Sequence, residues 1–403
     1  MLKLAFRNIL RHYFRTTMTL AAIAFGVIGL ILSGGFSHDV YEQLGEALIH
    51  SQSGHIQISK AGFHAKGTRN PERYLLDDPD TLRRIVSAMP AVMDEMARVN
   101  FSGLINNGRT DWSIVGEGIE AEKEALLGSQ LKITSGRQLS EADTNGVLLG
   151  QGVAKALKLR PGDQVTLLVN VGEGALNNLD FEVIGIFQTF SADFDARAVR
   201  IPLAAAKDLL ATSHINTLVL SLHKTSETQS IASSIRSKLD ASVFEVNTWI
   251  DLNDFYASTV ELYERQFGVL RLIILILVLL SVANSVNMSI FERLGEFGTM
   301  MALGNHQLHI FRLLLVENAL LGIIGGALGA LFGVALAYVI STIGIPMPPP
   351  PNANIGYTAH ILIIPSIVFD AFLIGAFATV LAAIIPAWRV SRVRVDEALR
   401  LNI

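Results

Sequence analysis

Between Asn318 and Phe369 the chain carries no Lys, Arg, Asp or Glu. A soluble domain spends about a quarter of its residues on charge and does not leave so long a stretch bare. A hydrocarbon core about 30 Å thick is crossed by about 20 apolar residues in helix, so this stretch holds more than one crossing. It is interrupted by Pro346 and by Pro348, Pro349, Pro350 and Pro351, followed by Asn352 and Asn354. Proline cannot continue a helix. The stretch therefore reads as two spans, 312–341 and 361–387, joined by a loop, 342–360. Two further windows read as spans. One is 16–37, uncharged between Arg15 and His38; the other is 267–290, apolar from Leu272 onward. The first is longer than the apolar core of a signal peptide and no A-x-A site follows it, so it is expected to stay as an anchor.

Half of the 403 residues are hydrophobic and 17% are charged, but residues 38–266 have ordinary charge. The net charge of -4 speaks against a nucleic-acid partner. The absence of cysteine excludes disulfides, thiolate zinc sites and cysteine nucleophiles. Lys3, Arg7, Arg11 and Arg15 precede the first span, Arg293 and Arg312 lie between the second and third, and Arg389, Arg392, Arg394 and Arg400 follow the fourth. The loop 342–360 has no Lys or Arg. Basic flanks stay in the cytoplasm, which predicts both termini inside and residues 38–266 and 342–360 outside.

The expected fold is an α-helical membrane protein with four transmembrane helices plus an α+β extracytoplasmic domain. Alternation predicts strands at 54–59, 112–115, 165–169, 181–187, 198–201, 217–222 and 242–246. Helices are expected at 80–89, 203–210 and 227–239, and a turn at Leu159–Asp163. Residues 174–180 read as a loop, and Gly116-Glu117-Gly118 and Gly172-Glu173-Gly174 as turns. Residues 41–49 and 251–268 read as helical stalks continuing the first two spans, stiff enough to carry motion.

Three cytoplasmic segments flank the spans. Residues 1–15 mix Leu4, Phe6, Ile9, Leu10, Tyr13 and Phe14 with basic residues and read as an amphipathic interfacial helix, or as simple basic flanking. Residues 388–403 form a basic tail. Residues 291–311 contain Glu292, Arg293 and Glu296 among apolar residues and three glycines; a short amphipathic helix and a charged connector both fit.

Within the third span Gly322, Gly325, Gly326, Gly329 and Gly333 repeat at G-x-x-x-G spacing, which lets helices approach closely, within one chain or across a dimer. Glu317 and Asp370 are acids inside apolar spans, and a carboxylate there costs about 2.5–3.5 kcal/mol on insertion scales. Glu317 is expected to meet Arg293 or the N-terminal arginines, or to snorkel to the interface. Asp370, about nine residues inside the fourth span, has no evident partner; water or a neighbouring group would serve. His50, His55 and His64 do not share a helix face, so surface histidines are expected rather than a metal site. No catalytic triad or carboxylate pair stands out.

Several segments in order resemble the FtsX-like, MacB-type ABC transporter permease family, and within it the lipoprotein-releasing LolC/LolE-like permeases. They are LAFRNILRHYFRTTMTLAAIAFGV, GVLLGQGVAKALKLRPGDQVTLL with FEVIGIF, SIFERLGEFGTMMALG, LLLVENALLGIIGG and PAWRVSRVRVDEALR. The resemblance implies a non-catalytic inner-membrane subunit working as a dimer with itself or a paralogue. It implies that Glu292, Arg293, Leu294, Glu296, Phe297 and Met300 engage an ATPase. No GxxxxGK[ST] loop is present, so ATP and Mg2+ would be held by a separate partner ATPase, with no cofactor on this chain. The implied output is extraction or export of a lipoprotein or other amphipathic cargo, with membrane lipids and a periplasmic lipoprotein carrier as further partners. The alternative is activation of a cell-wall hydrolase or a sensor.

Overall fold

A computed structural model describes residues 7, 11, 13–67, 71–128, 131–171, 175–349 and 356–393. The expected amphipathic helix over 1–15, the Gly172–Gly174 turn, the prolines and asparagines of 350–354 and the tail beyond 393 lie wholly or largely outside the described residues. The chain divides into two compact units: residues 1–41, 259–346 and 358–403, and residues 42–258 with 347–357.

The first unit is built on four long helices: α1 (Tyr13–Leu48), α8 (Asp254–Glu292), α10 (Gln307–Ile343) and α11 (Pro365–Ser391). All four are long and apolar enough to cross a membrane. In lipid every backbone group must be satisfied within the protein, and a helix does this along its own length. The fourth helix starts later than its sequence suggests. Ile361–Ile364 are non-helical, Ile364 is extended, and Pro365 occupies the first turn. Proline suits that place because the first N–H groups of a helix have no internal acceptor.

The helices close on a core of Ile23, Val27 and Ile31 from α1, Val278, Val282 and Val286 from α8, Leu314 from α10 and Ala378 and Ala383 from α11. All five glycines of α10 are buried, and they form two faces. Gly322 and Gly326 meet Ala376, Thr379 and Phe372 of α11; Gly325, Gly329 and Gly333 meet Ile23, Ala24, Val27 and Ile31 of α1. A methyl group on Gly329 would lie 2.7 Å from Val27 Cβ and 3.0 Å from the Ala24 backbone. Both faces are spent on packing inside one chain.

The second unit is a ten-stranded sheet. Its strands are β1 (Ile56–Lys60), β2 (Val92–Asn106), β3 (Asp111–Ile119), β4 (Lys132–Gly136), β5 (Gly146–Gly150), β6 (Gln164–Val171), β7 (Ala175–Gln188), β8 (Ala198–Pro202), β9 (Thr217–Leu222) and β10 (Phe244–Thr248). The order is β10-β1-β9-β2-β3-β8-β5-β7-β4, with β6 against β2 and β7. β3 and β8 run parallel, as do β5 and β7. Helices α2 (Pro79–Ser87), α4 (Gln151–Leu157), α6 (Leu203–Leu209) and α7 (Thr228–Lys238) contribute Leu82, Val153, Ala206 and Ile235 to the core beside Ile58, Val99, Phe101 and Val199.

Two sequence expectations fail here. Residues 175–180 are strand, not loop: β6 and β7 form a hairpin paired from Val171 with Ala175 down to Gln164 with Glu182. Its polar outer residues hid it. Gly116-Glu117-Gly118 is the middle of β3, not a turn. There the glycines make room: a Cβ on Gly116 would collide with the Phe101 ring, and one on Gly118 with Ala206. The sequence reading also passed over β2, β4, β5, α3 (Ala121–Leu127), α4 and a short α5 (Ala192–Asp195).

Two arginine–glutamate pairs are buried in this unit. Arg98 on β2 donates from Nε and Nη2 to the Glu124 carboxylate of α3, and from Nη1 to the Gln52 carbonyl at 2.6 Å. Arg200 on β8 donates from Nε to Glu117 at 2.9 Å and from Nη2 to the Ser51 carbonyl at 3.2 Å. Ser51 and Gln52 belong to a π-type turn, Ile49–Ser53, that follows α1. Burial opposes the charge on Glu124, but the Arg98 and Arg200 guanidiniums overcome it and hold the carboxyl below its ordinary value.

Two outcomes follow from this packing. Gly329→Val should lower the apparent melting temperature of the detergent-solubilised chain, reflecting about 1–3 kcal/mol of overpacking. Gly268→Ala, at a position with open space around it, should not. Arg98→Ala strands Glu124 and should cost about 3–5 kcal/mol in denaturant titrations.

Candidate functional site

Between the second and third long helices lies α9 (Leu294–Ala302). Glu292 ends α8, Arg293 is the junction, and Phe297 N–H bonds back to the Arg293 carbonyl at 3.1 Å. The apolar spacing Leu294, Phe297 and Met300 turns one side of α9 inward, and Leu294, Phe297 and the half-buried Met300 join the helix-bundle core.

Arg293 is drawn in with them; its side chain is 3% exposed. Its Nη1 donates to both carboxylate oxygens of Glu317 on α10, each at 2.9 Å. Its Nε donates to Glu296 Oε2 at 3.3 Å, and its guanidinium lies 5.0 Å from the centre of the Phe297 ring. Glu296 also accepts from Arg11 Nη1 at 3.1 Å. The structure thus brings Glu317 to Arg293. Beside Glu317 is a polar cavity of about 20 Å³ lined by Thr16, Thr19, Ser285, Ser289 and Asn318, room for about one water molecule. The Thr19 and Ser285 hydroxyls bond across it.

Of the six residues expected to face a partner, Arg293, Leu294 and Phe297 are buried in the chain itself, Met300 is half-buried, and Glu292 and Glu296 are exposed. The outward surface is the later part of the 291–311 segment, beyond the six residues expected to engage a partner. Every residue from Ala302 to His309 is exposed, with Leu303 at 80% and Leu308 at 54%. Gly304, at φ +93°, makes the bend in it, and the rings of His306 and His309 stack with centres 6.3 Å apart. The signal was available: two leucines in a polar run with a glycine between two helices.

With α11 starting at Pro365, Asp370 lies five residues from the helix end, about 8 Å along the axis, and it is exposed. In the α+β unit the three histidines expected at the surface, His50, His55 and His64, are drawn inward. His55 is fully buried and His50 and His64 are half-buried. Among the described residues no group of three or more His, Cys, Asp or Glu could hold a metal ion.

Residues 16–238 match the MacB-like periplasmic core domain and residues 268–395 the FtsX-like permease C-terminal domain. The lipoprotein-releasing system transmembrane protein LolC of Xylella fastidiosa is 22% identical, over 96% of this chain and 94% of its own length. The macrolide export ATP-binding/permease protein MacB of Wolinella succinogenes is also 22% identical, over 86% of this chain but only 54% of its own length. Among solved structures, the periplasmic region of MacB from Actinobacillus actinomycetemcomitans aligns at 18% identity and a TM-score of 0.36, covering 53% of this chain and 94% of that one. With the α+β unit and the helices after it both matched, the chain belongs to the FtsX-like family of ABC transporter permeases with a MacB-like periplasmic core domain.

Proposed function

We propose that this permease couples ATP hydrolysis by a separate ATPase to movement of its extracytoplasmic domain, and so extracts or exports a lipoprotein or other amphipathic cargo. The ATPase holds the ATP and Mg2+. The observation that carries the reading is the buried Arg293–Glu317 pair. It fastens α9 to α10 while the adjoining Ala302–His309 stretch presents Leu303 and Leu308 to solvent.

The ATPase docks on that exposed stretch, with Glu292 and Glu296 at its edge. The basic residues around it support a cytoplasmic position. Motion passes along α1 and α8, whose residues belong to both units. The relatives' names support the cargo class: one belongs to a lipoprotein-releasing system and another exports macrolides. A second permease copy, identical or paralogous, completes the assembly in the inner membrane, and a periplasmic lipoprotein carrier takes the cargo.

Exposed apolar side chains at a docking centre carry much of the affinity, about 2 kcal/mol or more each. Leu303→Asp with Leu308→Asp should therefore weaken co-purification of the ATPase at least tenfold, and abolish cargo-stimulated hydrolysis in proteoliposomes. Membrane insertion should be unaffected. Wild-type recovery of ATPase with the double variant would refute the docking surface. A complex isolated in mild detergent with no ATPase at all would refute the reading as a whole.

A further inference from the structure

The segment between α1 and β1 holds two histidines, His50 in the π-type turn and His55 just after it, whose surroundings assign them opposite protonation states. Both ring nitrogens of His50 face acceptors. Nδ1 is 3.1 Å from the Leu127 carbonyl oxygen, and Nε2 is 3.1 Å from Glu46 Oε2. Neither a carbonyl nor a carboxylate can donate. A neutral imidazole has one N–H, so it would leave one of these contacts acceptor against acceptor; only the imidazolium satisfies both. Leu127 ends α3, so its carbonyl is one of those a helix leaves without an internal donor.

His55 is fixed the other way. Its Nδ1 accepts from the Leu222 backbone N–H at 3.2 Å, so that nitrogen carries no proton. Its Nε2 donates to Thr225 Oγ1 at 3.2 Å, and Thr225 donates onward to Glu46 Oε1 at 2.5 Å. The two rings meet edge to face with centres 5.7 Å apart. Glu46 thus receives a hydrogen bond on each oxygen, one from a cation and one through a hydroxyl from a neutral ring.

The other charged groups around the turn balance one another. Arg98 from β2 is matched by Glu124 of α3, and Arg200 from β8 by Glu117 of β3. Glu46 is the carboxylate left to face His50.

We propose that His50 is a proton-binding site that locks the turn between α1 and β1 to the end of α3. Proton uptake fastens Glu46 to the Leu127 carbonyl through one ring; proton loss releases one of the two.

The electrostatics agree in sign. The Glu46 hydrogen bond raises the His50 pKa above its ordinary value against the effect of burial. The His50 hydrogen bond chiefly lowers that of Glu46. Burial, with the His50 charge, pushes His55 down to about 4. A raised histidine contributes fully below about pH 6.5 and loses its contribution as the pH climbs through its folded value. A depressed histidine contributes fully above about pH 6.5 and loses it as the pH falls towards 4. Glu46, being lowered, stays ionised through that range and fails only in stronger acid. The lock is therefore tightest near the ordinary histidine value. It loosens in alkali through His50 and in acid through His55 and then Glu46.

Hydrogen–deuterium exchange on the full-length chain in nanodiscs, corrected for intrinsic rates, tests this. Protection of peptides covering 46–56 and 121–128 should fall about tenfold or more between pH 6 and pH 9, while β9 stays protected. His50→Gln should remove that pH dependence. Glu46→Gln should move its midpoint to lower pH, a shift that a purely structural role for His50 would not produce. Flat wild-type protection across the range overturns the proposal without recourse to any variant. So does an unchanged profile in His50→Gln, or an unmoved midpoint in Glu46→Gln.

Discussion

The Arg293–Glu317 pair decides what the helical unit can do with the short helix between its second and third spans. Taking a guanidinium and a carboxylate out of water costs several kcal/mol each, and their attraction repays this only in good geometry. Here Nη1 reaches both carboxylate oxygens at 2.9 Å, and Phe297 lies under the guanidinium plane. The pair is not an efficient way to gain stability. It supplies direction. Apolar contacts between α9 and α10 would tolerate sliding, whereas a guanidinium between Glu317, Glu296 and the Phe297 ring accepts one orientation. That orientation places Leu294 and Phe297 inward and leaves Ala302–His309 outward.

The α+β unit uses the same device in a different place. Arg98 and Arg200, each paired with a glutamate, direct their remaining N–H groups at the Gln52 and Ser51 carbonyls. A π-type turn leaves carbonyls poorly served by its own backbone, so it needs donors from outside. Two buried cations supply them, and His50 adds a third contact from inside the turn. The turn between α1 and β1 is consequently held by charged donors as well as by the buried Ile49 side chain.

How much of this the amino-acid order revealed depended on the kind of signal. The four long helices were legible because a bilayer imposes a length and a composition that few other structures need. Glu317 was legible because an acid in an apolar span stands out, and Arg293 was the nearest candidate partner. The glycines of α10 announced close packing, but not that they split between α11 and α1. β2 was hidden by Asp94, Glu95 and Arg98, which break the expected alternation because their partners lie on the helices α2 and α3. Glu117 between two glycines looked like a turn because nothing local shows that Phe101 and Ala206 occupy the space where side chains would be. The exposed leucines at 303 and 308 were hard to read for a related reason. Attention went to the charged residues, and in this segment the most distinctive charge is the one buried.

The ties around α9 differ in strength, and the difference bears on how force would travel. The Arg11–Glu296 contact is exposed on both sides, so water and salt reduce it to a small fraction of a buried pair. Arg293–Glu317 is shielded, and separating it would leave two charges in an apolar setting. A push on Leu303 or Leu308 therefore meets a weak link towards the N-terminal segment and a strong one towards α10. The weak link can break and reform at little cost, while α9 and α10 must move together. α10 in turn cannot slide freely, because Gly325, Gly329 and Gly333 seat it against α1, and Gly322 and Gly326 against α11. On the proposed reading, displacement at the exposed stretch would reach the spans as a whole-helix movement rather than being absorbed locally. A segment joined only by flexible apolar contacts could not do this.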